Sequence, residues 1–111
     1  MPLPSLDGPH ALSQRLVEQT IRGKFPGVYA LSAKEGGIVN LRRIGRADAD
    51  LGAALRDFIG VYSHFSCAAA ADPASAYEME CRLYHAWSPP ENLVHPESPG
   101  EGNGVCPVCG R

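Results

Sequence analysis

Gly36-Gly37 sits between two short runs of alternating apolar residues, and a pair of glycines in that setting reads as the turn of a β-hairpin. The first run is Pro26-Gly27-Val28-Tyr29-Ala30-Leu31 and the second is Ile38 to Ile44. Side chains alternate along a strand, so Tyr29 and Leu31 share one face and Val28 and Ala30 the other. In the second strand Val39, Leu41 and Arg43 are expected on one face, and Ile38, Asn40, Arg42 and Ile44 on the other. Tyr29 and Arg43 then project from one face of the hairpin, a placement that a one-residue slip would undo. Gly45 follows, where the chain is expected to leave the sheet.

Around the hairpin the sequence reads as helices and one more strand. Met1 to Gly8 is a lead-in, with Pro2 and Pro4 against helix. A helix is expected from Pro9 to just before Gly23, on the spacing of Leu12, Leu16, Val17 and Ile21. A second is expected from Asp48 to Gly60, with Asp48 or Asp50 as its cap and Leu51, Leu55, Phe58 and Ile59 as its buried stripe. Val61 to Cys67 reads as a third strand, and Ala68 to Ala71 as a bridge. Asp72-Pro73 opens a third helix that runs to Trp87 and stops at Pro89-Pro90. The chain therefore divides into a lead-in and helix (1–25), a core (26–88) and a tail (89–111). The expected fold class is α+β: three strands in a mixed or antiparallel sheet, flanked by helices.

A length of 111 residues fits a single domain with a modest core. No apolar run approaches membrane-spanning length, so no membrane partner is expected. The first residues lack a basic region followed by an apolar stretch, and the expected location is cytoplasmic, where cysteines stay reduced or bind metal. Residues 1–57 hold eight Lys/Arg against six acids, whereas residues 58–111 hold two against six. The hairpin lies in the basic half, with Arg42, Arg43, Arg46 and Arg56 as the nucleic-acid-binding candidates. A stronger basic stripe is usual for a nucleic-acid binder, and the charges alone describe an ordinary solvated surface.

The tail is rich in Pro and Gly and would not order itself. Its end, however, contains Cys106-Pro107-Val108-Cys109, half of a tetrahedral zinc site by spacing. Cys81 and His85 are four residues apart on the third helix and share a face. His95 lies in the tail. Five candidates therefore compete for four places. Cys67 reads as a buried small hydrophobe. Tyr62, His64, Tyr77, Tyr84 and Trp87 read as packing residues. On spacing alone, Glu80 is a helix-surface carboxylate at the edge of an apolar stripe, and Asn92 is a turn residue.

The order of elements and the motifs resemble the GIY-YIG nuclease superfamily. Gly27-Val28-Tyr29 matches the first motif, and Arg43-Ile44-Gly45 the second, with arginine in place of tyrosine. The run from Glu80 to Cys109 is similar to a subset of that superfamily that reads Glu-Cys-x-x-Tyr-His, then Asn, then His-Pro, then Cys-Pro-x-Cys. The resemblance implies catalytic positions at Tyr29, Arg43, Glu80 and Asn92, with Glu80 holding Mg²⁺ or Mn²⁺ in an active enzyme. It also favours His85, His95, Cys106 and Cys109 as ligands of a structural zinc, with Cys81 as the alternate. Two positions depart from the family pattern: Arg43 replaces the second tyrosine, and Ala54 occupies the helix-arginine slot, with Arg56 two residues on and turned away.

Those departures favour a degenerate member, a nucleic-acid-binding or protein-interaction module without full nuclease chemistry, with an active enzyme as the rival. That rival is a divalent-metal DNA endonuclease using Glu80 and Tyr29. A third reading, a zinc-stabilised adaptor unrelated to nucleases, would gain support if the hairpin did not pair as drawn. DNA, a protein partner or a larger assembly are the partners these readings name.

Overall fold

The computed structural model describes residues 5–99 and 106–110. Met1 to Pro4 of the lead-in, and residues 100–105 and 111 of the tail, lie outside the described residues. The element order is β1 (Asp7–Ala11), α1 (Gln14–Thr20), β2 (Gly27–Glu35), β3 (Ile38–Ala47), α2 (Leu51–Arg56), β4 (His64–Ala69) and α3 (Pro73–Trp87). The fold is α+β, as expected, but its sheet has four strands, all antiparallel, in the order β1-β4-β2-β3.

The hairpin pairs and puts Tyr29 and Arg43 on one face, as expected. Tyr29 faces Gly45, Ala30 faces Ile44 and Leu31 faces Arg43. Gly36 and Gly37 make the two-residue turn with φ of +58° and +83°, the left-handed conformations that such a turn demands. Two details differ from expectation. The register shifts between Leu31 and Ser32, where Ser32 pairs with Leu41, so Arg42 is an extra residue. That bulge moves Leu41 to the face of Ala30 and Ile44, away from Arg43. Gly45 also stays inside β3. Its missing side chain is what lets the Tyr29 ring lie directly over it, since a Cβ there would collide with the phenol.

β2 is central and carries apolar layers on both faces. Tyr29 and Leu31 pack with Val17 of α1, Leu51 and Leu55 of α2, and Phe65 and Cys67 of β4. Val28 and Ala30 pack on the other side with Ile44, and with Leu83 and Met79 of α3. The sheet is thus a middle layer, with α1 and α2 on one side and α3 on the other.

Three element boundaries correct the sequence reading. The segment from Pro9 is not helix: Asp7–Ala11 pairs with β4, through Asp7 with Cys67, His10 with Phe65 and Ala11 with His64. A sheet edge tolerates Pro9, which has no N–H to give. α1 begins only after Ser13, whose hydroxyl accepts from the Leu16 N–H at 3.2 Å. α2 starts from the Asp50 cap as expected, with the Asp50 carboxylate accepting from the Ala53 N–H at 3.1 Å, but ends at Arg56. β4 spans His64–Ala69 rather than Val61–Cys67, so Ala68 and Ala69 belong to the strand. α3 matches the expected span. Asp72 caps it by accepting from the Ser75 N–H at 2.7 Å, Pro73 stands in its first turn, and Ser88 closes it at φ 42°. Among the described residues, no helix is long and apolar enough to cross a membrane.

Candidate metal centre and the cleft beside it

The last turn of α3 presents His85, and the tail returns to it twice. His95 comes first and the Cys106–Cys109 turn second. One ligand atom from each of His85, His95, Cys106 and Cys109 lies within 4.8 Å of all the others. Tetrahedral zinc with sulfur and nitrogen ligands places such atoms roughly 3.3–3.8 Å apart, so a small inward movement closes the set. These four residues could hold a metal ion, and their chemistry fits one. His85 Nε2 is buried without a hydrogen-bond partner among the described residues. His95 Nδ1 lies 2.8 Å from the Pro96 carbonyl, which leaves Nε2 facing Cys109 Sγ at 3.4 Å. The Cys106–Cys109 turn is closed by the Gly110 N–H donating to the Cys106 carbonyl at 2.9 Å.

The thiols are tuned differently. Burial pushes Cys106 up, but hydrogen bonds from the Cys109 and Val108 N–H groups, with His95 and Cys81, bring it down to about 6. Those contacts favour the Cys106 thiolate, the form a metal binds. Cys81 is pushed up to about 12, chiefly by burial. It packs with Tyr77 and Cys106 as a small buried cluster. Cys81 thus stands outside the four-ligand set, as a protonated thiol hydrogen-bonded to Cys106. Tyr84 stacks edge-on against both histidines, with ring centroids at 5.2 and 5.5 Å.

The neighbouring cleft is lined by Tyr29, Arg43, Gly45, Arg46, Glu80 and Asn92, with Val94 to Glu97 of the tail. The four positions named by the resemblance, Tyr29, Arg43, Glu80 and Asn92, are therefore brought together. Asn92 acts as more than a turn residue. Its Oδ1 accepts from the Ile44 N–H at 2.7 Å, and its Nδ2 donates to the Ile44 carbonyl at 2.9 Å. One side-chain amide thus satisfies both backbone polar groups of one residue on the open edge of β3. The Glu91 N–H donates to the Arg42 carbonyl at 3.0 Å beside it.

Glu80 is 7% exposed, and Arg46 Nη1 donates to its Oε1 at 2.7 Å. Arg46 Nε donates to Asp48 Oδ1, also at 2.7 Å, and the guanidinium lies over the Tyr77 ring at 5.3 Å. Burial pushes Glu80 above its ordinary value, and the Arg46 contact opposes that without cancelling it. Burial works against the charge on Arg46 too, but its two carboxylate partners outweigh this and push it up. Tyr29 is pushed up by burial, with Arg43 opposing, so its phenol is protonated at neutral pH.

The basic candidates separate into distinct environments. Arg42 donates to Glu91 at 2.9 Å and lies 3.6 Å from Glu35. Arg46 is committed to Glu80 and Asp48. Arg56 is exposed on α2 and does not line the cleft. Arg43 lies over Phe58 at 5.5 Å, and it makes no ion pair among the described residues. Tyr62 donates to Glu91, so it ties the tail to the core instead of only packing. His64 contacts the Ser63 hydroxyl at 2.8 Å. Cys67 is 5% exposed, its thiol pushed up to about 11 by burial. Tyr77 is a packing residue at 1% exposed, whereas Trp87 is 40% exposed and lines a groove with Leu6, Val39 and Leu41.

Sequence reasoning missed the Arg46–Glu80 pair and the role of Glu91. A carboxylate set in an apolar helix stripe was the available signal for the first, since such a group needs a partner. No family model, curated protein or solved structure matches the chain.

Proposed function

We propose that this chain is a degenerate GIY-YIG-like domain that binds nucleic acid across the cleft and lacks full nuclease chemistry. The observation that carries this reading is the 2.7 Å contact between Arg46 Nη1 and Glu80 Oε1. The carboxylate that would hold Mg²⁺ or Mn²⁺ is engaged by a guanidinium, in a chain that also has Arg43 for tyrosine and Ala54 for arginine. Arg43 is the cleft cation left for a phosphate. Zinc in the His85, His95, Cys106 and Cys109 set would be structural, because four protein ligands leave no open position. A cytoplasmic setting, which keeps these thiols reduced, belongs to the same reading.

The test is DNA affinity across a salt series, beside cleavage of supercoiled and branched DNA with Mg²⁺ or Mn²⁺. Affinity that falls steeply with salt, weakens in Arg43→Ala and comes without cleavage supports the proposal. A second reading, an active endonuclease, is favoured by the meeting of Tyr29, Glu80 and Asn92 in one cleft. Cleavage that disappears in Glu80→Ala would establish it. No DNA affinity at any salt would turn the module into a protein-interaction domain. The hairpin pairs, so the support that an unpaired hairpin would have lent the adaptor reading is missing.

A further inference from the structure

One wall of the cleft is tail: Asn92, Val94, His95, Pro96 and Glu97. Residues 92–99 have no helix or strand of their own. Leu93 and Val94 are 88% and 76% exposed, so apolar burial does not fix the segment. Two of the ties that hold it differ in chemistry. Asn92 clamps the Ile44 N–H and carbonyl through two hydrogen bonds. Three residues on, His95 joins the Cys/His set that reaches α3 through His85. Water competes for the hydrogen bonds, and their net contribution is small against the entropy of ordering the segment. A metal bond is far stronger and is lost when the ion leaves.

We propose that metal occupancy of the His85, His95, Cys106 and Cys109 set gates the cleft, by holding Asn92 on the Ile44 edge of β3. With the metal bound, His95 is fixed to α3 and the wall stands. Without it, the segment leaves β3 and the cleft opens to solvent along that side. This inference rests on the reading of the cleft as a nucleic-acid site. Linkage makes it reciprocal: if the metal strengthens nucleic-acid binding by some factor, nucleic acid strengthens metal binding by the same factor.

The experiment uses the whole chain, Zn²⁺-loaded and chelator-stripped, and reads amide exchange at Ile44 together with DNA affinity at fixed salt. Cys109→Ser removes an exposed ligand. Asn92→Ala leaves all four ligands in place and breaks only the clamp. The Leu31 amide, in the central strand, reports whether the fold survives. Stripping zinc is expected to speed Ile44 exchange at least about tenfold while Leu31 stays protected, a local opening, and to weaken DNA binding several-fold. Asn92→Ala is expected to bind one zinc and to show fast Ile44 exchange with or without it. Slow Ile44 exchange in the stripped wild-type chain, or in Asn92→Ala loaded with zinc, overturns the gate. If Cys109→Ser loses protection at Leu31 as well, Asn92→Ala decides. A chain whose Ile44 amide responds to zinc but which binds no DNA keeps the gate and discards the nucleic-acid reading. A chain that binds no zinc discards the gate.

Discussion

Arg46 of β3 and Glu80 of α3 meet with Nη1 and Oε1 2.7 Å apart, although 34 residues separate them in the chain. Their side chains are 13% and 10% exposed. The pair pins the helix to the sheet beside the cleft and sets the charge there.

Removing one partner strands the other. Arg46→Ala should destabilise the fold by roughly 2–3 kcal/mol, below the figure for fully buried pairs because both groups keep some contact with water. Glu80→Gln, which can still accept from Arg46, should cost about 1 kcal/mol. Urea unfolding of both variants checks the order, and equal losses would show that the pair contributes nothing beyond packing.

The same pair gives a pH dependence with a definite sign. Burial raises Glu80 above its ordinary value of 4.5, so in the window just above that value the folded state binds more protons than the unfolded state. The Glu80 contribution to stability therefore falls as pH rises through that window. Glu80→Gln should abolish it. Glu91 is shifted the other way, held low by hydrogen bonds from Tyr62 and Arg42, and its contribution is lost as pH falls. Denaturation midpoints of the wild type and Glu80→Gln across the acid range separate the two.

The metal set makes a stoichiometric prediction. The purified chain should bind one zinc, and His85→Ala or Cys106→Ala should abolish binding. Cys81→Ala should retain the ion with affinity lowered about tenfold, as expected for loss of a hydrogen bond to a ligating thiolate. Metal analysis and competition with a chelator decide. Loss of the ion in Cys81→Ala would make Cys81 a ligand.

Two glycines should resist substitution for reasons of space. Gly45→Ala places a methyl into the Tyr29 ring. Gly27→Ala places one 2.5 Å from the Ala68 carbonyl and 2.8 Å from Leu51 Cδ2. Each should cost roughly 1–3 kcal/mol, and Gly27→Ala should be the worse because a backbone atom cannot rotate away. Gly36→Ala meets nothing within 4 Å and should be limited to the strain of its positive φ. Thermal unfolding of the three variants gives the ranking.

Local chemistry wrote the legible parts of this fold. Asp72-Pro73 and Pro89-Pro90 bracket α3, and Gly36-Gly37 makes the hairpin turn, although the bulge at Arg42 that brings Tyr29 opposite Gly45 left no sign in the sequence. β1 was not legible, because Asp7–Ala11 is mostly exposed, contains Pro9 and is a strand only by virtue of its pairing with β4. α2 was overread since Phe58 and Ile59 continue the apolar spacing but pack from a turn. Spacing offered five Cys/His candidates for four places, and the family resemblance favoured the four that the structure brings together. The partners of Arg42 and Arg46 were hidden, since an ion pair between distant residues leaves no periodicity.

β3 is the outer strand on its side of the sheet, and an outer strand invites a second chain to add to it. Glu91 and Asn92 occupy its free peptide groups at Arg42 and Ile44. The tail thereby serves as a guard against edge-to-edge aggregation. Loss of that guard would leave a strand with Ile38 64% exposed at one end free to pair with its own copies.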